Sequence, residues 1–323
     1  MSRVWLEYAK SRSDVEIVGL VDLYQEAALE RKKEFSLEAP WFPDLAEAIE
    51  KTGANLVFDV TIPQAHRNIT LTALEMGCNV FGEKPMGASI EDAEAMLEAA
   101  KRTGKTYSVM QNRRYNKQIR ALHTLIKSEG VGQLGMINAD FFIGAHFGGF
   151  RDEMDSPLIL DMAIHTFDQA RFISGADPVS VYCQEFNPAG SWYKGNAAAI
   201  CIFEMSDGSV FSYRGSWCAE GAPTSWEASW RITGSKGTAI WDGSTQPYAE
   251  VTSQDAGFIR DSKKIEAPLD LEGQEGHFGC LDEMFAALSE GRKAETDCTD
   301  NIKSVAMVYK AIESAKTGQK VML

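Results

Sequence analysis

Two short stretches carry side chains whose types and spacing suit chemistry. In "SPLILDMAIHTFDQARF", Asp161 and His165 lie four residues apart and share one face of a helix. A carboxylate beside an imidazole holds its tautomer and stabilises the imidazolium, as a general base taking a hydroxyl proton requires. The same spacing also serves as a plain structural pair, and a mononuclear metal site ranks last because no nearby Cys or His completes a ligand set. Ser156 and Pro157 read as the helix start, the serine capping and the proline first in the helix. In "FGEKP", Glu83 and Lys84 stand at the carboxyl end of an apolar run that Pro85 stops. Open α/β sheets bind ligands at that end, while the plainer reading is a surface turn with a solvated ion pair.

Two weaker patterns accompany them. "TIPQAHRN" places Thr61, Pro63 and His66 at another strand end, where a proline starting the next helix leaves backbone N–H groups free for a ligand. An ordinary helix start with a partly exposed histidine explains it as well. In "TSWEASWRI", Trp226, Ala228 and Trp230 alternate onto one strand face, suited to stacking on a sugar ring, to sheet packing or to a subunit interface.

The elements that must position these residues follow two textures. From residue 15 to about 111, "VEIVGLVD", "ANLVFDVTIP", "CNVFGEKP" and "KTYSVMQ" read as strands, separated by amphipathic helical runs. Ser89 caps the last of these helices, with Asp92 three residues on. Such alternation predicts an α/β, doubly wound parallel sheet over residues 1–114. Beyond it come longer alternating strands, with Asp207-Gly208 marking a hairpin, and two closing helices that stop at Gly291 and Gly318. Residues 115–323 are therefore expected to form a second, α+β domain with a large, mostly antiparallel sheet.

Composition narrows the classes. The 323 residues are 44% hydrophobic, enough for two cores, and contain no apolar run long enough to span a membrane. A net charge of −14 argues against nucleic acid as a partner. Six scattered cysteines without a C-x-x-C pair read as reduced, mostly buried thiols. Charges at Arg3, Glu7 and Lys10 argue against a secretory signal, so a cytoplasmic protein is expected.

Taken in order, the "TIPQAH" segment, "EKP" at a strand end, "NRRY" opening the second domain and D-x-x-x-H in a later helix resemble the glucose-fructose oxidoreductase / inositol dehydrogenase / MocA-type family over nearly the whole chain. The resemblance implies a Rossmann domain binding NAD or NADP and a C-terminal domain supplying the substrate face and a homo-oligomer contact. It implies Lys84 touching substrate and nicotinamide, His165 as catalytic base and Asp161 as its partner. It also implies Thr61, Pro63, His66 and Glu83 around the cofactor, with Asn112 and Arg114, in the Asn112 to Arg114 crossover between domains, binding it as well.

One departure concerns the start. A ribose-binding acid follows the glycine motif by about 20 residues. Asp22 is such an acid, and counting back places the first strand and two leading glycines before Met1. The expectation is an incomplete Rossmann domain or one that has lost its phosphate loop. Because Asp22 repels a 2′-phosphate and neither Leu23 nor Tyr24 brings an arginine, NAD is expected over NADP. The function expected is an NAD(P)-dependent oxidoreductase acting on a sugar, polyol or inositol. Its rivals are an NAD-dependent glycosidase of the same family and a non-catalytic cofactor- or sugar-sensing protein.

Overall fold

The computed structural model describes residues 1–128, 130–253, 257–269 and 272–323. Its elements run, in chain order, α1 (Ser2–Ser11), β1 (Leu20–Val21), α2 (Gln25–Glu34), β2 (Trp41–Phe42), α3 (Leu45–Thr52), β3 (Leu56–Asp59), α4 (Pro63–Glu75), β4 (Asn79–Gly82), α5 (Ile90–Thr103) and β5 (Tyr107–Val109). After a 3-10 turn at Asn112–Tyr115 come α6 (Lys117–Lys127), β6 (Leu134–Phe142), a π-helical turn at Leu158–Ala163, α7 (Ile164–Ser174), β7 (Pro178–Phe186), β8 (Ala198–Met205) and β9 (Val210–Ser216). The chain closes with β10 (Ser229–Gly234), β11 (Gly237–Trp241), β12 (Tyr248–Thr252), β13 (Ser262–Glu266), α8 (Gly276–Glu290), α9 (Cys298–Thr317) and β14 (Val321–Met322). Two compact units result, one of residues Met1–Asn112 with Gln274–Val305, the other of Arg113–Gly273 with Ala306–Leu323.

The first unit is Rossmann-type, with every strand pair parallel. Its strands form a pair, β1-β2, and a three-stranded sheet, β3-β4-β5. No described strand pairs with the free edges of β1 and β3. The long strand expected at "VEIVGLVD" shrinks to Leu20–Val21, because ladder bonds exist only where Trp41–Phe42 lies opposite. Ser89 caps α5 by accepting from the Asp92 N–H, as its sequence indicates, and Pro63 is the first residue of α4.

Residues 274–305, which the sequence texture assigns to the second domain, pack with the first unit instead. Helix α8 buries Cys280, Leu281, Met284 and Phe285, and the Phe285 ring meets Phe81 edge-on at 5.2 Å and Phe58 at 6.1 Å. The Val109 N–H donates to the Thr296 carbonyl at 2.9 Å, tying the chain before α9 to β5. Tyr8 donates to Asp282 at 2.7 Å, joining α1 to the same helix. Apolar matching between elements far apart in sequence thus overrides chain order.

The second unit holds a nine-stranded sheet in the order β13-β12-β11-β10-β6-β9-β8-β7-β14. Only β6 and β9 pair in parallel; the other neighbours are antiparallel. Alternation sorts the two faces: in β8, Cys201, Phe203 and Met205 point into the core while Ile200 and Ile202 are exposed. The inward face packs with α6 and α7 through Ile119, Leu122, Phe167 and Ile173. Each such fully buried large side chain contributes about 1.5–3 kcal/mol. Gly208 between β8 and β9 has φ of 84°, the left-handed conformation that the Asp-Gly hairpin signal demands. The expected face of Trp226, Ala228 and Trp230 does not form. Ala228 has φ of 62°, so β10 starts only at Ser229, and Trp226 projects from the preceding turn while Ala228 and Trp230 are buried.

Candidate active site

In the first unit the carboxyl end of β3 closes on a carboxylate that the sequence reading passed over. Asp59, buried at the strand's last position, accepts from the Thr61 hydroxyl at 2.6 Å and its N–H at 3.2 Å. Its other oxygen lies 3.0 Å from His66 Nδ1 and accepts from the Thr70 hydroxyl at 3.4 Å. Thr61 and His66 are thus brought together as the motif implied, but His66 is buried, not partly exposed. With Nδ1 facing Asp59, its Nε2 is a buried nitrogen that has no partner among the described residues.

One strand over, the Glu83 carboxylate is committed to structure. It is buried at the end of β4, accepting from Trp5 Nε1 at 2.7 Å and from the Lys84 N–H at 3.2 Å. Glu83 therefore fastens α1 to the strand end and fixes the Lys84 backbone there, a task that its neighbourhood in sequence does not announce. Asp22 stands half-buried at the end of β1 and takes the Tyr24 N–H at 2.8 Å, with Leu23 exposed beside it. Asn112 lies after β5, its amide 3.4 Å from Nδ1 of His277 in the first turn of α8. Burial holds the His277 imidazole below its ordinary pKa, with the Glu83 carboxylate opposing.

The second unit contributes Asp161 and His165. Asp161 lies in the π-helical turn and His165 in the first turn of α7, so the pair straddles a change of helical winding of a kind frequent at functional sites. Ser156 does not cap this segment: its hydroxyl donates to Glu185 on β7 at 3.1 Å. The Asp161 carboxylate accepts from Arg151 Nε at 2.8 Å, and the Arg151 guanidinium lies over the Phe147 and Phe150 rings at 5.2 and 4.8 Å. Trp226 meets Trp217 edge-on at 5.5 Å beside Phe147.

Around this pair stand polar groups that sequence reasoning missed. Gln169, one turn beyond His165, donates to Glu227 at 2.7 Å, and Arg113 approaches the same carboxylate at 3.5 Å while donating to the Trp226 carbonyl. Burial lowers the Arg113 pKa, and the Glu227 and Asp161 carboxylates work against it. The spacing of Gln169 to His165 was the available signal; Glu227 and Arg151 gave none. Arg114, which the resemblance implies at the cofactor, is buried. It grips both oxygens of Asp168 at 2.7 Å in a buried fork inside the second unit.

A Rossmann-type unit with ionisable groups at its strand ends, followed by an α+β unit with a large, mostly antiparallel sheet, is an architecture suited to binding a dinucleotide. Residues 1–111 match the model of an oxidoreductase family with an NAD-binding Rossmann fold, and residues 119–240 match the GFO/IDH/MocA C-terminal domain. The chain belongs to the Gfo/Idh/MocA family of oxidoreductases. It is 28% identical over 315 residues to an uncharacterized protein of Sinorhizobium fredii, covering 95% of this chain and 87% of that one. With D-apiose dehydrogenase of Rhizobium rhizogenes it shares 27% identity over 297 residues, covering 87% and 82% respectively. Among solved structures, an Agrobacterium radiobacter oxidoreductase in complex with NAD+, L-tartaric acid and magnesium superposes with a TM-score of 0.85 at 23% identity, covering 98% of this chain and 94% of that one.

Proposed function

We propose that this chain is an NAD-dependent dehydrogenase of a sugar, polyol or inositol-type substrate, with His165, Lys84 and Asp161 as its catalytic group. The observation that carries the reading is the Asp161–His165 pair at the junction of the π-helical turn and α7, set among Arg113, Gln169 and Glu227. His165 takes the proton from the substrate hydroxyl oxygen onto its imidazole. The Asp161 carboxylate, steadied by Arg151, favours the resulting imidazolium. Lys84 balances the negative charge that grows on the same oxygen. Carboxylates and amides such as Glu227 and Gln169 suit hydroxyl-rich ligands, and aromatic faces such as Trp226 suit the C–H face of a ring.

The strand ends of the first unit fit a nicotinamide nucleotide. In this reading Asp22 accepts from a ribose hydroxyl, with Leu23 beside it. Thr61, Pro63 and Asn112 line the same edge as His66, whose Nε2 is a buried polar atom with no partner among the described residues. When bound, the nicotinamide supplies the hydride acceptor. We further read the exposed outer sheet face, with Tyr182, Phe186, Ile200 and Ile202, as the contact of a homo-oligomer, and the protein as cytoplasmic; among the described residues no helix is long and apolar enough to cross a membrane.

The test is a panel of aldoses, polyols and inositols offered with NAD and NADP, followed by absorbance of the reduced nicotinamide. Net reduction of NAD by at least one polyhydroxy substrate is expected. Reduction by none of them would overturn the reading, and aglycone release without net reduction would point to the glycosidase.

A further inference from the structure

His277 is the one imidazole in the first unit that neither the sequence motifs nor the proposed chemistry uses. It sits in the first turn of α8, more than 160 positions along the chain from Asn112, yet the two side chains meet at 3.4 Å. Its place is set by the helix's buried flank, since Leu281 and Met284 are fully buried and Phe285 packs against Phe58, Phe81 and Tyr8.

The hydrogen-bond arithmetic at this imidazole is incomplete. The Asn112 amide nitrogen is a donor, so Nδ1 facing it accepts, which leaves the ring proton on Nε2. That Nε2–H is a buried donor with no partner among the described residues. A buried donor left unmade is costly, so a ligand oxygen that completes the bond recovers that cost on binding. Asn112 follows the carboxyl end of β5, so its contact with His277 puts the imidazole at the strand edge where the sheet receives its ligand.

The chemistry of the donor selects the acceptor. Burial disfavours the charged form of the imidazole, which suits a neutral donor beside the pyridinium ring of the cofactor. A neutral N–H in a partly buried setting matches a neutral amide oxygen. We propose that His277 is a cofactor-positioning residue whose Nε2–H donates to the carboxamide oxygen of the bound nicotinamide, held in that tautomer by Asn112. The inference rests on the cofactor reading above and adds to it a residue outside the family's sequence motifs named earlier.

The experiment measures, by calorimetry on the full chain, dissociation constants for NAD and for ADP-ribose, which lacks the nicotinamide. His277→Phe keeps an aromatic ring of similar size without the donor, and His277→Gln restores an N–H. The expected result is about threefold to tenfold weaker NAD binding in His277→Phe, as for one neutral hydrogen bond, with ADP-ribose binding unchanged and NAD binding largely recovered in His277→Gln. Equal NAD affinity in the unmodified chain and His277→Phe would overturn the assignment, as would parallel losses for NAD and ADP-ribose, which mark a general disturbance of the unit. Matching melting temperatures among the variants exclude misfolding as the source of a loss. Should the unmodified chain bind neither ligand, the cofactor reading itself fails, an outcome distinct from the other two.

Discussion

Replacing Arg114 with methionine removes the guanidinium that holds both oxygens of Asp168, each at 2.7 Å, in a setting where the two side chains are 6% and 2% exposed. Breaking a buried pair from one side costs roughly 3–5 kcal/mol, because the remaining charge is left buried. Here Arg171 lies 3.9 Å from the same carboxylate while also holding Asp177 at 3.0 Å, so partial compensation places the cost near the lower bound. About 3 kcal/mol corresponds to a melting-temperature drop of roughly 6–12 °C for a unit of 150–250 residues. The double variant Arg114→Met, Asp168→Leu removes both charges and should recover most of the loss. Calorimetric melting of the three proteins, with NAD titrated into each, is the assay. A single variant that melts within about 2 °C of the parent yet loses NAD affinity would refute this account and return Arg114 to the cofactor.

Three further outcomes follow from particular groups. Glu185 faces the core of the second unit, and burial pushes its carboxyl up to about 7, with Ser156 and Lys316 opposing. In the unfolded chain it ionises at an ordinary carboxylate pKa, so between about 4.5 and 7 the folded state holds the extra proton and stability falls as pH rises, by an amount on the order of 3 kcal/mol. Urea titrations across that window should lose this slope in Glu185→Gln. Asp22 should make catalytic efficiency with NAD exceed that with NADP, and Asp22→Ser should narrow the ratio; a parent that prefers NADP would contradict the role given to Asp22. Trp5→Phe leaves the buried Glu83 carboxylate short of its 2.7 Å donor and should destabilise the first unit by about 1–3 kcal/mol in denaturant unfolding, whereas an unchanged midpoint would show that the indole bond contributes nothing.

What the sequence made legible was local or periodic. The alternation of strands and helices over residues 15–111, the Ser89 cap and the Asp207-Gly208 turn depend on neighbours within a few residues, so pattern alone reaches them. What it concealed was set by partners distant in the chain. Asp59 ends an apolar run and gives no sign that it will gather Thr61, His66 and Thr70. Glu83 reads as a member of a charged tripeptide until Trp5, 78 positions earlier, claims it. Ser156 has the type and position of a cap, yet a buried acid on β7 competes successfully for its hydroxyl. The π-helical turn under Asp161 has no compositional mark, and the left-handed Ala228 broke an alternation that side-chain types alone supported. Helix α8 carries the same apolar pattern whichever unit it covers, so only packing assigned it to the first.

The proposal that His165 is the base of a hydroxyl oxidation is tested most directly by comparing turnover of the parent and His165→Ala on the polyhydroxy substrate that best reduces NAD. The account predicts a fall in turnover of roughly 10² to 10⁴, with a smaller change in substrate affinity. Near-normal turnover in His165→Ala would contradict it and shift the role of base to Lys84.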